Sequence, residues 1–283
     1  MDRRLNLYIS NVYHNKSQIT RIVTERWGAD NLYCPICGFD RISAYPNNEK
    51  VSDFFCQGCR ENYQLKSTSK KLGKSFPGSE YYTLVNRIEN EQQPNLFLLQ
   101  YDLTDEVVKK LIFIPRVFFS TSVIELRKPL SKTARRAGWT GCNIRLDRIP
   151  AEGKILLITP DNINTKQAVQ NEVKKIRSLF NTEKTDRQWY IEILKIVRLL
   201  PDRFQTMDIY KYEDYLKRVF PNNNNVKAKI RQQLQVLRDN GIIVFSGAGV
   251  YEKLTYSFLD ESGAAGGKTD VCRHTYSKPG KQP

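Results

Sequence analysis

Two C-x-x-C pairs carry the most specific chemistry in this chain. They are Cys34-Pro35-Ile36-Cys37 and Cys56-Gln57-Gly58-Cys59, separated by eighteen residues. Each pair is a tight turn that aims two thiolates at one ion, and two such turns close a tetrahedron around zinc. An aromatic residue precedes each, Tyr33 and Phe55, as at a strand end entering a knuckle. Gly38 and Pro35 supply the turn chemistry. With four protein ligands the site is closed, so the zinc expected at Cys34, Cys37, Cys56 and Cys59 is structural. The competing reading is two buried or disulfide-bonded cysteine pairs.

A second set overlaps the first. Val51-Ser52-Asp53-Phe54-Phe55 and Asn62-Tyr63-Gln64-Leu65-Lys66 alternate like half-buried strands. Paired as a hairpin around the knuckle, they bring Asp53, Gln64 and Lys66 together. Gln64 and Lys66, two apart, share a strand face. Asp53 as carboxylate and Gln64 as neutral oxygen ligand suit Mg²⁺, and Lys66 suits positioning the attacking water and the scissile phosphate. The pattern D-x10-Q-x-K resembles the layout of the PD-(D/E)XK nucleases.

The whole chain bounds these readings. Its 283 residues suffice for two domains, and a net charge of +15 fits a polyanionic partner and a merely soluble basic protein equally well. No run approaches a membrane span, and the start of the chain lacks the apolar core of a signal peptide. Cys142 and Cys272 have no evident partner, which fits a reducing cytoplasm. His14 and His274 are isolated, so no histidine-based triad is expected.

The elements that must position these residues read as follows. Ser17 is an expected N-cap for a helix with Ile19, Ile22, Val23 and Trp27 on its apolar stripe. Glu25 on that helix either reaches the active site or sits on a solvated face. Residues 67–78, with Lys70, Lys71 and Lys74, read as a mobile basic loop. A helix is expected over 80–92 and strands over 95–101, 110–115 and 154–159. Between them, 126–144 holds Arg135, Arg136 and Trp139, read either as a DNA-holding loop or as a packed Trp beside two surface arginines. A helix over 164–180 and a polar linker at 181–188 follow.

Beyond the linker the periodicity is helical. Helices are expected over 189–200, 206–220, with Tyr210, Tyr215, Leu216 and Val219 on its stripe, and 225–240. A hairpin turns at Ser246-Gly247-Ala248-Gly249. Three helices and a hairpin describe a winged helix; a small helical interaction domain is the alternative. On the third helix Ile230, Leu234 and Leu237 face inward, leaving Asn225, Ala228, Gln232 and Gln235 outward. Lys227, Lys229 and Arg231 flank that face, placed for phosphates. The segment 255–283 has no periodicity and reads as a mobile tail.

The blocks Val51 through Cys56, Thr133 through Ile144 and Lys229 through Asp239, together with the C-x-x-C pairs, resemble the DpnI-like methyl-directed restriction endonucleases from roughly residue 5 to 254. The resemblance implies an α/β PD-(D/E)XK core with an embedded four-Cys zinc site over 1–182 and a small winged-helix domain over 183–254. It implies Mg²⁺-dependent, type II cleavage of double-stranded DNA at GATC carrying N6-methyladenine, by a protein expected to be a monomer. Reading the methyl group needs an apolar wall, for which Trp139 is the candidate, with Arg135 and Arg136 on phosphates. On the winged helix, Gln or Asn suits adenine, and small Ala228 leaves room for a methyl group. The chain departs from the family at Gln64, where an acidic residue is the rule. Glu61 falls on the opposite strand face. The competing function is therefore a methyl-DNA reader with an impaired nuclease site; a third, a zinc-ribbon transcription factor, would ignore adenine methylation.

Overall fold

The continuous apolar runs around Leu96-Phe97-Leu98-Leu99 and Leu111-Ile112-Phe113-Ile114 form two adjacent interior strands of the main sheet, buried on both faces. The computed structural model describes residues 1–7, 15–46 and 52–254. The main sheet has six strands in the order β1-β2-β3-β5-β6-β9. They are β1 (Ser43–Ala44), β2 (Phe54–Phe55), β3 (Asn62–Thr68), β5 (Asn95–Asp102), β6 (Val107–Ile114) and β9 (Ile155–Ile158). Only β3 and β5 are parallel, with Gln64 opposite Leu96 and Lys66 opposite Leu98.

Helix α1 (Lys16–Asn31) lies on β3 and buries Val23 and Trp27. Gly28 permits this approach: a Cβ there would sit 2.9 Å from the Phe54 ring and 3.3 Å from Leu65. The helix opens at Lys16, so Ser17 lies inside it rather than capping it.

A smaller sheet of β4 (Ser75–Glu80), β8 (Gly141–Arg145) and β7 (Ile124–Leu126) has β8 in the middle. Helix α2 (Tyr81–Glu89) packs on it through Leu84 and Ile88, and the Glu80 carboxylate caps α2 by accepting the Tyr82 and Thr83 N–H groups. Here the expected loop over 67–78 is corrected. Its first residues extend β3 to Thr68, and 75–80 is a strand. Pro77 and Gly78 disguise that strand, but β4 is an edge, where a missing N–H is tolerated. Gly78 is required by close approach, since a Cβ there would meet Cys142 Sγ at 2.3 Å.

Helix α3 (Lys166–Ile176) packs against β9 and runs on as a 3-10 turn to Asn181. The expected linker at 181–188 is also corrected. Helix α4 (Lys184–Leu199) already begins inside it, and Arg187 is buried. That guanidinium donates to the Thr182 carbonyl at 2.9 Å and to the Glu91 carboxylate, which ties α4 to the end of α2.

The C-terminal module continues with β10 (Arg203–Gln205), α5 (Thr206–Tyr210), α6 (Glu213–Val219), α7 (Val226–Asp239), β11 (Ile243–Gly247) and β12 (Val250–Lys253). Trp189 stacks on Phe220 with centroids 4.0 Å apart, and Leu216, Ile230, Leu234 and Leu237 complete the core. The single helix expected over 206–220 breaks at Lys211–Tyr212, so Tyr215 and Val219 rotate to the surface and only Leu216 of the four expected stripe residues is buried. The wing turns through three left-handed residues, Gly247 (φ 91°), Ala248 (φ 48°) and Gly249 (φ 74°). No helix of the described residues is long and apolar enough to cross a membrane. Val51, His14, His274, Cys272 and the tail at 255–283 lie outside the described residues.

Candidate functional site

The two knuckles have matching geometry. Cys34 Sγ accepts the Cys37 N–H at 3.3 Å, and Cys56 Sγ accepts the Cys59 N–H at 3.5 Å. Each turn closes with the next residue donating to the first cysteine's carbonyl, Gly38 to Cys34 and Arg60 to Cys56, both at 2.9 Å. Gly38 (φ 80°) and Arg60 (φ 60°) take the left-handed conformation this closure needs. All four sulfurs lie within 4.8 Å of one another, with Cys34–Cys59 at 3.6 Å and Cys37–Cys56 at 3.5 Å. Four sulfurs bound to one zinc at ~2.3 Å would stand ~3.8 Å apart, so the cluster fits that ion closely. The four cysteines are free thiols, which removes the disulfide reading. Burial pushes the Cys34 thiol up to about 11 and raises Cys59 as well, a cost that a bound dication reverses.

The knuckle delivers the chain straight into the β2–β3 hairpin. Phe54 pairs with Tyr63 and Phe55 with Asn62, and the Asp53 N–H donates to the Tyr63 carbonyl at 2.9 Å. Strand β2 stops there, so the next β3 donor, the Leu65 N–H, has no strand partner. Asp53 Oδ2 accepts it at 2.7 Å. The carboxylate is thus fixed at the sheet edge by one oxygen, and its other oxygen has no hydrogen bond among the described residues. Gln64 and Lys66 alternate with Tyr63 and Leu65, which pack into the core and toward α1.

The electrostatics of this edge are strained in opposite directions. Burial raises the Asp53 carboxyl above its usual range, opposed by the Leu65 N–H, Lys66 and Arg21. Burial lowers the Lys66 ammonium below its usual range, opposed by the charge of Asp53. Asp53 offers a charged oxygen and Gln64, on β3, a neutral one, both of the hard type that Mg²⁺ accepts.

Two neighbouring carboxylates are placed elsewhere. Glu61 receives the Arg116 guanidinium at 3.0 and 3.2 Å and the Asn95 amide at 2.8 Å, which occupies it at the far end of β3. Glu25 pairs with Arg21 at 2.6 Å and lines a cavity of about 430 Å³ with Leu65 and Ser67, on the β3 face away from Gln64. Arg21, whose charge acts on Asp53, is a residue the sequence reading passed over because it reads as one more solvated helix cation.

The segment with Arg135, Arg136 and Trp139 prolongs the β7–β8 pair into a hairpin. Arg127 N–H bonds the Gly141 carbonyl at 3.0 Å, and Leu130 N–H bonds the Trp139 carbonyl at 2.9 Å. The indole is half-buried: it lies over Gly141, where a Cβ would approach within 2.7 Å, and under the Arg136 guanidinium at 5.2 Å. Arg135 is exposed at the tip; Leu126, at the end of β7, and Leu130 are exposed too, apolar residues that the run of basic neighbours concealed.

On α7, Ala228, Gln232 and Gln235 are exposed along one face, with Asn225 exposed just before its first turn. Lys227 lies 5.5 Å from the centroid of the Tyr210 ring and 3.4 Å from Glu213, and Arg231 donates to the Tyr210 hydroxyl at 2.8 Å. Lys229 does not flank this face. Its side chain, 16% exposed, turns to α4 and pairs with Asp186. Tyr210, expected on an apolar stripe, instead supports the two cations beside the amide face.

An α/β core with a charged strand edge beside a four-cysteine cluster, followed by a winged helix with an exposed amide face, has the architecture of a DNA-binding protein. Comparison with known families agrees. The Dam-replacing family of DpnI matches residues 1–182, and the Dam-replacing HTH domain matches residues 185–253. The first match spans more than half of the chain, and the chain belongs to this family of DpnI-like methyl-directed endonucleases.

Proposed function

We propose that this protein is a type II restriction endonuclease that hydrolyses double-stranded DNA at GATC bearing N6-methyladenine, with Mg²⁺ at Asp53 and Gln64 and zinc at Cys34, Cys37, Cys56 and Cys59. The observation that carries the reading is the Asp53 carboxylate held against the Leu65 N–H on the strand that bears Gln64 and Lys66, within a chain of the DpnI family. Bound Mg²⁺ supplies charge stabilisation at the scissile phosphate and acidifies the attacking water. Asp53, with one carboxylate oxygen fixed by the Leu65 N–H, would hold the ion with the other. Gln64 adds a neutral oxygen. Lys66, with its proton held less tightly than usual, orients the water and the phosphate. The division of labour extends to recognition: Trp139 with Arg135 and Arg136 engages the methylated site near the catalytic domain, and α7 presents Gln232 and Gln235 to the adenine edge. Full-length protein alone acts on its site in this reading, as a monomer with two DNA contacts.

A second reading is favoured by Gln64: a single carboxylate leaves the metal site short of charge, so the protein binds methylated DNA without cutting it. Incubation with methylated GATC duplex and Mg²⁺ separates the two. Cleavage supports the endonuclease; tight, methyl-dependent binding with intact DNA supports the reader.

A further inference from the structure

Tyr63 is fully buried, its ring stacked on Phe97 with centroids 5.3 Å apart and tilted against Phe113 at 6.2 Å. Its hydroxyl lies 2.9 Å from Cys34 Sγ, which among the described residues is its sole hydrogen-bond partner. A buried hydroxyl without a partner is costly, so this placement is stabilised by the sulfur. Burial near the knuckle does not by itself create such a bond. Tyr33, next to Cys34 in sequence and also buried, has no hydrogen-bond partner for its hydroxyl among the described residues.

A zinc-bound thiolate has no proton, so the hydroxyl is the donor and the sulfur the acceptor. Donors of this kind orient a metal ligand and offset part of its charge. Cys34 then receives two donors, the Cys37 N–H and the Tyr63 O–H, and is the one cysteine of the cluster with a side-chain O–H donor among the described residues. The Tyr63 carbonyl accepts the Asp53 N–H, and Gln64 follows Tyr63 directly.

We propose that Tyr63 is a positioning residue of the zinc centre: its hydroxyl donates to the Cys34 thiolate and clamps β3 to the metal. This rests on the zinc reading of the four cysteines. The test uses the full chain as wild type, Tyr63→Phe and Tyr33→Phe, with zinc content measured first and zinc release to a chromophoric chelator second. Wild type carries one zinc per chain. Tyr63→Phe keeps the ring and its stacking, so it folds, but it releases zinc ~10–100-fold faster. Tyr33→Phe, which removes a hydroxyl that bonds nothing, releases it at the wild-type rate. In cobalt-substituted protein the sulfur-to-metal charge-transfer band shifts for Tyr63→Phe alone. Wild-type release and an unshifted band in Tyr63→Phe overturn the proposal and leave the zinc reading standing. Equal acceleration in both variants overturns it in favour of general loosening. Wild type without zinc overturns both readings.

Discussion

Strand β3 and helix α7 present their polar side chains under opposite conditions. At the β3 edge Asp53 and Lys66 are half-buried, and burial drives the carboxyl up and the ammonium down while each opposes the other's shift. On α7 the amides of Gln232 and Gln235 stand in solvent, and the cations beside them rest on Tyr210 and Glu213. The contrast matches two tasks. Chemistry at phosphate needs a small, partly dry set of charges whose protonation the fold controls. Reading a base edge needs uncharged donors and acceptors that give up only water on contact, with charge kept to the flanks for the backbone.

Perturbing each side should break this comparison in a different way, beginning with the largest effect. Lys66→Ala should lower single-turnover cleavage of methylated GATC duplex by roughly 10²–10⁴-fold with binding retained; a matched loss of binding would make Lys66 a DNA anchor instead. The raised Asp53 carboxyl predicts a pH effect of definite sign. A cation displaces the proton from Asp53, so apparent Mg²⁺ affinity should climb as pH rises past the ordinary carboxylate range and level off once Asp53 is ionised. A Mg²⁺ titration at several pH values reads this, and affinity that is flat above pH ~4, near the ordinary carboxylate value, would count against Asp53 as the ligand.

Smaller effects are expected on α7. Gln232→Ala or Gln235→Ala should cost ~1–3 kcal/mol of binding to methylated GATC and little on random duplex. Equal losses on both would reduce α7 to an anchor. Smallest of all, Arg231→Ala and Lys227→Ala should each lower the salt slope of binding by ~1, while Lys229→Ala should leave the slope unchanged, since Asp186 already holds that charge. A reduced slope for Lys229→Ala would mean that the pair opens on DNA.

How much of this was legible in the sequence depends on how local the cause is. The C-x-x-C spacing and the alternation of Gln64 with Tyr63 are set within a few residues, and both were readable. The amide face of α7 was readable too, because helical periodicity sorts Ile230, Leu234 and Leu237 from Gln232 and Gln235. The left-handed Gly38 was legible as a turn; Arg60, in the same role one knuckle later, was not, because nothing in an arginine announces positive φ. Strand β4 was hidden by Pro77 and Gly78, whose acceptance depends on an edge position and on Cys142 across the sheet. The Asp53–Leu65 bond was invisible because it depends on where β2 stops. Lys229 was misplaced because its partner, Asp186, is 43 residues away on another helix.

In the proposed function, Asp53 is the residue at which this protein turns binding into cutting. Single-turnover cleavage and equilibrium binding, measured together on methylated GATC duplex with Mg²⁺ for wild type and Asp53→Ala, test that directly. Wild type should cut, while the variant should bind the same DNA with similar affinity and leave it intact. Cleavage by Asp53→Ala at the wild-type rate would contradict that role.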